Sequence, residues 1–208
     1  MESIDKANLF IVGAAKSGTT AIHNYLNKHS SVFLSPIKEV NYFCTDINLG
    51  DFRKSYKRNI ESIVLKDRSG SYREIHEAYI RDKNVYNSIF SGKSNYLYRG
   101  EASVSYLYSD DAARNIFNYN RCSKIIMVLR NPIERAFSHY LMDMQTGRNY
   151  STDFLESIYQ DYSQEKKGWG ISNLYIEGDS KLVINQMKGI YNVKSSNLLD
   201  LYKKAKLL

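Results

Sequence analysis

Residues 9–26 read LFIVGAAKSGTTAIHNYL. Leu9, Phe10, Ile11 and Val12 form a short apolar run suited to a buried strand, and Gly13 stops it. Ala14 and Ala15 are small, and Lys16, Ser17, Gly18, Thr19 and Thr20 follow. Ala21, Ile22, Tyr25 and Leu26 then recur at helical spacing. A strand, a small-residue loop and a helix in this order build an anion cradle. The loop and first-turn N–H groups converge on one spot, where the helix dipole favours negative charge. Lys16 adds a point charge, and Ser17, Thr19 and Thr20 add hydroxyl donors. The ordinary nucleotide-triphosphate loop puts Lys directly after its second Gly. Here Lys16 precedes Gly18, and the hydroxyl pair follows it. The residues point to a phosphate or sulfate cradle. The alternative is a glycine-containing turn that caps a helix, with Lys16 solvated.

Working outward, Val32, Phe33 and Leu34 read as a second short strand, ended by Ser35 and Pro36. Residues 36–46, PIKEVNYFCTD, read as a loop past that strand end. Ligands of open α/β folds bind at the carboxyl ends of the strands, so Lys38 and Glu39 are candidates for chemistry. The alternative is a surface ion pair or a helix cap. In residues 96–108, YLYRGEASVSYLY, the strand starts at Tyr96, Leu97 and Tyr98 and is expected to end at Gly100 and Glu101. A helix is expected near Asp110 to Asn118. Glu101 in such a place can orient a lysine, accept from a substrate hydroxyl or cap the next segment.

Residues 124–129, KIIMVL, read as the clearest buried strand, with the continuous apolar run of a central parallel strand. Arg130 follows, then Asn131 as N-cap and Pro132 at the first helical position. Ile133, Ala136, Phe137, Tyr140 and Leu141 fall on one helical face, with Arg135, Ser138 and His139 on the other side or its border. Arg130 and Ser138 can hold a second anion, for which the Arg fork is well matched. The alternative for Arg130 is a salt bridge with a neighbouring helix.

The remainder is less informative. Phe52, Tyr56 and Ile60 suggest one amphipathic segment and Ile75, Ala78 and Tyr79 another, with a turn over Asp67 to Gly70 between them. His76 reads as a surface residue. Gly147 marks a loop, and residues 153–162 read as a helix. Gly168, Trp169 and Gly170 form a break, Leu182, Val183 and Ile184 fit a helix or a last strand, and residues 197–207 read as a terminal helix.

The 208 residues suffice for one domain with a sizeable core. A net charge of +7 suits an anionic partner without choosing among nucleotide, acidic glycan, nucleic acid and membrane surface. There are 18 Tyr, whose amphipathic rings suit a polar groove or half-buried positions. Cys44 and Cys122 make no metal spacing with each other or with His, and isolated thiols fit a reducing compartment. No apolar run approaches the length of a membrane span. A soluble, cytoplasmic protein without stable membrane insertion is expected. No internal repeat or low-complexity tract is seen, and a single domain over residues 1–208 is expected.

Taken together, GAAKSGTT, SPIKEVNYF, YRGEASVSYLY and VLRNPIERAFSHY resemble the sulfotransferases that use 3′-phosphoadenosine 5′-phosphosulfate. The likeness is greatest to the carbohydrate branch, including heparan-type and bacterial enzymes, and rests on four motifs in the expected order within residues 9–142. It implies an α/β, three-layer P-loop-like fold with a central, mostly parallel sheet flanked by helices. By the same resemblance, Lys16, Ser17, Gly18, Thr19 and Thr20 hold the 5′-phosphosulfate. Arg130 and Ser138 clamp the 3′-phosphate. Glu39 is the catalytic base, and Lys38 beside it contacts the cofactor or the departing group. Glu101 and Ser103 fall in a stretch near the acceptor cleft, where Val104 replaces a Pro that often follows the Ser. Family members carry a later Gly-and-Tyr segment that closes over the nucleotide, then a last strand and helix. Parts of it are sought at Gly168, Trp169, Gly170 or Gly178, so the C-terminal part is expected to be short or incomplete.

The expected reaction is transfer of a sulfuryl group to a glycan hydroxyl by in-line attack. Its needs parallel those of phosphoryl transfer: an aligned nucleophile, a base for its proton and fixed positive charge on the transferring and leaving oxygens. No metal is expected, because fixed cations neutralise the charge. Two further readings stay open: sulfuryl transfer to a small alcohol, lipid or phenol, and a non-catalytic nucleotide-binding or scaffold protein. A kinase or hydrolase fits less well, because the strand of residues 125–129 ends in Arg130 rather than a magnesium-binding Asp. No nucleic-acid partner is expected, since net charge is the sole support for one. Acceptor identity and oligomeric state are not encoded in any motif.

Overall fold

The computed structural model describes residues 5–48, 54, 57–58, 63–147 and 151–163. The chain divides into two compact units, Met1–Leu129 and Arg130–Leu208, each taken by itself.

The first unit is built on a parallel sheet. Its strands are β1 (Leu9–Gly13), β2 (Val32–Leu34), β3 (Tyr98–Ala102) and β4 (Lys124–Met127), in the order β2-β3-β1-β4. Every pairing between these four strands is parallel. Helices α1 (Thr19–Leu26), α2 (Lys83–Ser88) and α3 (Ala112–Tyr119) and a 3-10 turn (Val104–Leu107) connect the strands. The expected α/β architecture with a central parallel sheet is therefore present.

β1 is buried along its whole length, as its apolar run requires. Its side chains alternate between two cores, as strand geometry dictates. Leu9 and Ile11 pack with Val32, Leu34 and Ala102, against Ile22 and Leu26 of α1. Phe10 and Val12 face an aromatic cluster that includes Phe43, Tyr86, Phe90 and Tyr106. There Phe43 meets Phe10 and Tyr86 edge-on at centroid distances of 5.6 and 5.3 Å, and Tyr42 stacks on Tyr86 at 4.1 Å. Much of the aromatic content is thus core rather than groove lining.

Several expectations are corrected. β3 does not end at Gly100 and Glu101; both lie inside it. Gly100 is there for close approach. A Cβ at this position would lie 2.3 Å from the Leu9 carbonyl oxygen, so only glycine lets β3 pair with β1 here. Among the described strands β4 lies at the edge, paired with β1 alone, and Ile125, Met127 and Leu129 are exposed rather than buried. A continuous apolar run marks a strand without saying whether a neighbour pairs on both of its sides. Residues 73–82 form no helix; their backbone runs beside the loop after β2. Ala78 N–H donates to Glu39 O at 3.0 Å and Ile80 N–H to Val40 O at 3.2 Å.

The turn over Asp67 to Gly70 forms as expected, with Asp67 Oδ1 accepting from the Ser69 and Ser71 amides. His76 is exposed. The segment around Phe52, Tyr56 and Ile60, and everything expected beyond residue 163, lie outside the described residues.

The second unit contains α4 (Pro132–Gln145) and α5 (Phe154–Ser163). Asn131 caps α4 as expected, its side chain accepting from the Ile133 and Glu134 amides. The buried face is not the expected apolar stripe. It holds Arg135, Ala136, His139, Tyr140 and Asp143, while Ile133, Phe137 and Leu141 are exposed. Ala136 and Tyr140 pack against Phe154 and Ile158 of α5, so the helix turns by part of a face to meet its partner. Among the described residues no helix is long and apolar enough to cross a membrane.

Candidate active site

The sheet order places β1 between β3 and β4, with its carboxyl end at a reversal of strand order. The β1–α1 connection leads toward β2, while the chain after β3 crosses to β4 on the other side. That edge is where open α/β sheets form their ligand crevice, and both groups of first-unit candidates gather on it.

The loop after β1 bends sharply. Ser17 N–H donates to Ala14 O at 3.2 Å, Lys16 takes φ +64°, and Gly18 precedes α1 with φ +95°. Gly18 has no capping side chain, so nothing of its own blocks the first-turn amides of α1, which have no carbonyl behind them. Thr19 is buried, Lys16 and Ser17 are half-buried, and Gly18 and Thr20 are exposed. The hydroxyl oxygen of Ser17 is buried without a hydrogen-bond partner. An orphaned buried hydroxyl is a liability unless something outside the chain satisfies it. A tetrahedral oxyanion in the bend would do so, and Lys16 and the helix dipole would compensate its charge. The residues present therefore fit the phosphosulfate end of the expected cofactor.

Glu39 and Lys38 lie on the adjoining strand end. Glu39 N–H donates to Ala102 O, the last residue of β3, at 2.7 Å. The Glu39 carboxylate is held at both oxygens: Oε1 meets Lys38 Nζ at 2.5 Å, and Oε2 accepts from Val104 N–H at 2.8 Å. Each oxygen keeps a second lone-pair site for a hydroxyl. The Lys38 and Glu39 side chains are only 10% and 9% exposed. Neither is the surface pair or helix cap of the alternative reading.

Glu101 and Ser103, expected near the acceptor cleft, are both fully buried. Glu101 Oε1 accepts from Tyr86 Oη at 3.0 Å and from Tyr106 Oη at 2.5 Å, and Oε2 accepts from Ser103 Oγ at 2.6 Å. Burial pushes this carboxyl up to about 7; the three hydroxyl donors work against that rise, and the charge of Glu39 adds to it. Asn41, Arg81, Tyr86 and Tyr106 belong to the same region and were not singled out from sequence. Arg81 donates to the carbonyls of Asn41, Cys44 and Ile47, clasping the loop from outside. Cys44 is buried and its thiol is pushed up to about 12 by that burial, which leaves it unreactive.

Arg130 and Ser138 belong to the second unit. Arg130 is exposed, and its Nε meets Glu134 Oε2 at 3.2 Å one helical turn on. Ser138 is half-buried on α4. Among the described residues no three His, Cys, Asp or Glu side chains group as a metal site requires.

Comparison with known proteins follows the same line. The model of the "Sulfotransferase family" matches residues 8–172. The membrane-associated sulfotransferase kil1 of Dictyostelium discoideum is 26% identical over 159 residues, which is 76% of this chain and 28% of that protein's length. The chain thus spans less than a third of this curated relative. The crystal structure of a sulfotransferase from Alicyclobacillus acidocaldarius superposes with a TM-score of 0.60 at 28% identity, covering 88% of this chain and 67% of that one. With a family match over most of its length, and the cradle and strand-end carboxylate within the matched span, the chain belongs to the sulfotransferase family.

Proposed function

We propose that this chain moves a sulfuryl group from 3′-phosphoadenosine 5′-phosphosulfate to a hydroxyl of a carbohydrate acceptor. The observation that carries the reading is the bend after β1. Its buried, unpartnered Ser17 hydroxyl lies on the same sheet edge as the Glu39–Lys38 pair. Lys16, Ser17, Gly18, Thr19 and Thr20 would hold the 5′ end of the donor, and Arg130 and Ser138 its 3′-phosphate. When bound, the donor supplies a sulfur whose bond to the 5′-phosphate oxygen breaks as the acceptor oxygen bonds to it.

Glu39 accepts the proton of the acceptor hydroxyl on a free lone pair of its carboxylate. Lys38 keeps that carboxylate in place. Lys16 and the first-turn amides of α1 meet the negative charge left on the 5′-phosphate. A carbohydrate acceptor is favoured over a phenol because the proton acceptor is a carboxylate in the KE pair, the pattern of the carbohydrate branch.

The test is calorimetric titration of the full chain with 3′-phosphoadenosine 5′-phosphate, with adenosine 5′-phosphate as control. Tight binding of the first and weak binding of the second supports both anion sites. No binding of either refutes the donor assignment and returns the chain to the scaffold reading. Glu39→Gln is expected to keep the nucleotide affinity while sulfuryl transfer to a glycan panel falls by about 100-fold or more.

A further inference from the structure

Glu39 takes φ +53° and Asn41 φ +54°, left-handed backbone that is unfavourable for a residue such as Glu. Something must hold this turn, and the hydrogen bonds beneath it converge on one group. Asn41 N–H donates to Ser103 Oγ at 3.0 Å, and Ser103 Oγ donates in turn to Glu101 Oε2. Tyr42 N–H donates to Tyr106 Oη at 3.1 Å, and Tyr106 Oη donates to Glu101 Oε1. Two consecutive loop amides are thus each gripped by a hydroxyl, and both hydroxyls are anchored on the two oxygens of one carboxylate.

The direction of these bonds is the informative part. A hydroxyl has one proton to give. When ionised, Glu101 accepts on both oxygens, so Ser103 and Tyr106 each send their proton inward, and each then turns a lone pair outward to the loop. An amide at the position could accept on one side only; its NH2 would oppose a hydroxyl proton on the other. Asn41 tightens the same turn from within. Its Nδ2 donates to Glu39 O at 2.8 Å and Ala78 O at 3.1 Å, while its Oδ1 accepts from Ser105 Oγ.

We propose that Glu101 is a positioning residue for Glu39: through Ser103 and Tyr106 it fixes the left-handed turn that aims the Glu39 carboxylate along the sheet edge. This rests on the reading of Glu39 as the base. It replaces the acceptor contact expected of Glu101 and Ser103 with a role inside the fold. Glu101 is faced by Tyr86 from α2, Tyr106 from the 3-10 turn, Tyr119 from α3, and Glu39 and Cys44 from the loop after β2.

The test reads Glu39 directly. The full chain is labelled at glutamate side-chain carboxyls with 13C, and the Glu39 resonance is assigned by its loss in Glu39→Gln. Tyr106→Phe keeps the ring and removes one arm; Ser103→Ala removes the other. Loosening the turn moves the Glu39 carboxylate off Val104 N–H. The Glu39 carboxyl resonance is therefore expected to shift and broaden in each variant, with amide exchange at Asn41 and Tyr42 faster by about tenfold. A Glu39 resonance that superimposes on the wild type in both variants would overturn the proposal, whatever the loss of stability. If Ser103→Ala does not fold, Tyr106→Phe alone decides. The measurement needs neither donor nor acceptor. It therefore stands or fails separately from the proposed transfer, which the nucleotide titration tests.

Discussion

Glu101 gives the sharpest stability prediction. Its carboxyl sits fully buried among three hydroxyl donors, with a value of about 7 against an ordinary 4.5. The folded protein therefore holds this proton more tightly than the unfolded chain does. Between pH 4.5 and about 7 the folded state binds more protons, so stability falls as pH rises through that window and levels off above it. The span of about 2.5 pH units corresponds to roughly 3 kcal/mol at about 1.4 kcal/mol per unit. For a chain of this size that is roughly 6–12 °C in melting temperature. Glu101→Gln cannot ionise. Its amide mismatch lowers stability by an offset that does not depend on pH, whereas the pH-dependent part contributed by Glu101 disappears. Thermal unfolding of both proteins between pH 4.5 and 8.5, followed by circular dichroism, reads the difference. The gap between them is expected to shift in favour of the variant by roughly 6–12 °C from the acid to the neutral end. Parallel profiles would show that Glu101 titrates as an ordinary carboxyl, and the burial reasoning would fail.

Gly100→Ala places a Cβ 2.3 Å from the Leu9 carbonyl oxygen and 2.8 Å from Leu9 Cβ. The β1–β3 pairing must open, so a loss of roughly 3 kcal/mol is expected in urea unfolding; a loss below about 1 kcal/mol would show that β3 shifts freely. Lys38→Met leaves the buried Glu39 carboxylate without its cation. A stability loss of roughly 3–5 kcal/mol is expected in urea unfolding; a loss below about 1 kcal/mol would argue against a buried ion pair. Arg130→Ala removes an exposed partner of Glu134 and is expected to leave stability within about 0.5 kcal/mol. In calorimetry it should abolish the preference for 3′-phosphoadenosine 5′-phosphate over adenosine 5′-phosphate, whereas a preserved ratio would remove Arg130 from the nucleotide site.

The parts legible from sequence are those whose cause is local. The run Leu9 to Val12, the bend from Lys16 to Gly18 and the Asn131–Pro132 helix start each carry their reason within a few residues, and each forms as read. The misread parts depend on partners far along the chain. Residues 124–129 look central because they are apolar, yet position in a sheet is a matter of which strands pair, and β4 pairs with β1 alone among the described strands. Gly100 looks like a strand end because glycine often is one; its reason lies some ninety residues away, at Leu9. Arg135 and His139 look like an outer face of α4, and they are buried.

The site divides along the same line, and the division bears on how it works. The place of Lys16, Ser17, Lys38 and Glu39 at strand ends is legible because it follows from residue type and local order. The support is not, since Asn41 and Arg81, Tyr86 and Glu101, and Ser103 and Tyr106 meet only once the sheet has formed. Glu101 and Ser103 stand out from their stretch, and in the fold they support the turn that carries Glu39. A base that takes a proton in flight must be held to within a fraction of an ångström. Glu39 lies in a loop with a backbone conformation that is unfavourable by itself. Its precision therefore comes from the interior lattice, and a substitution at Tyr106, which would touch neither donor nor acceptor, should alter Glu39 itself.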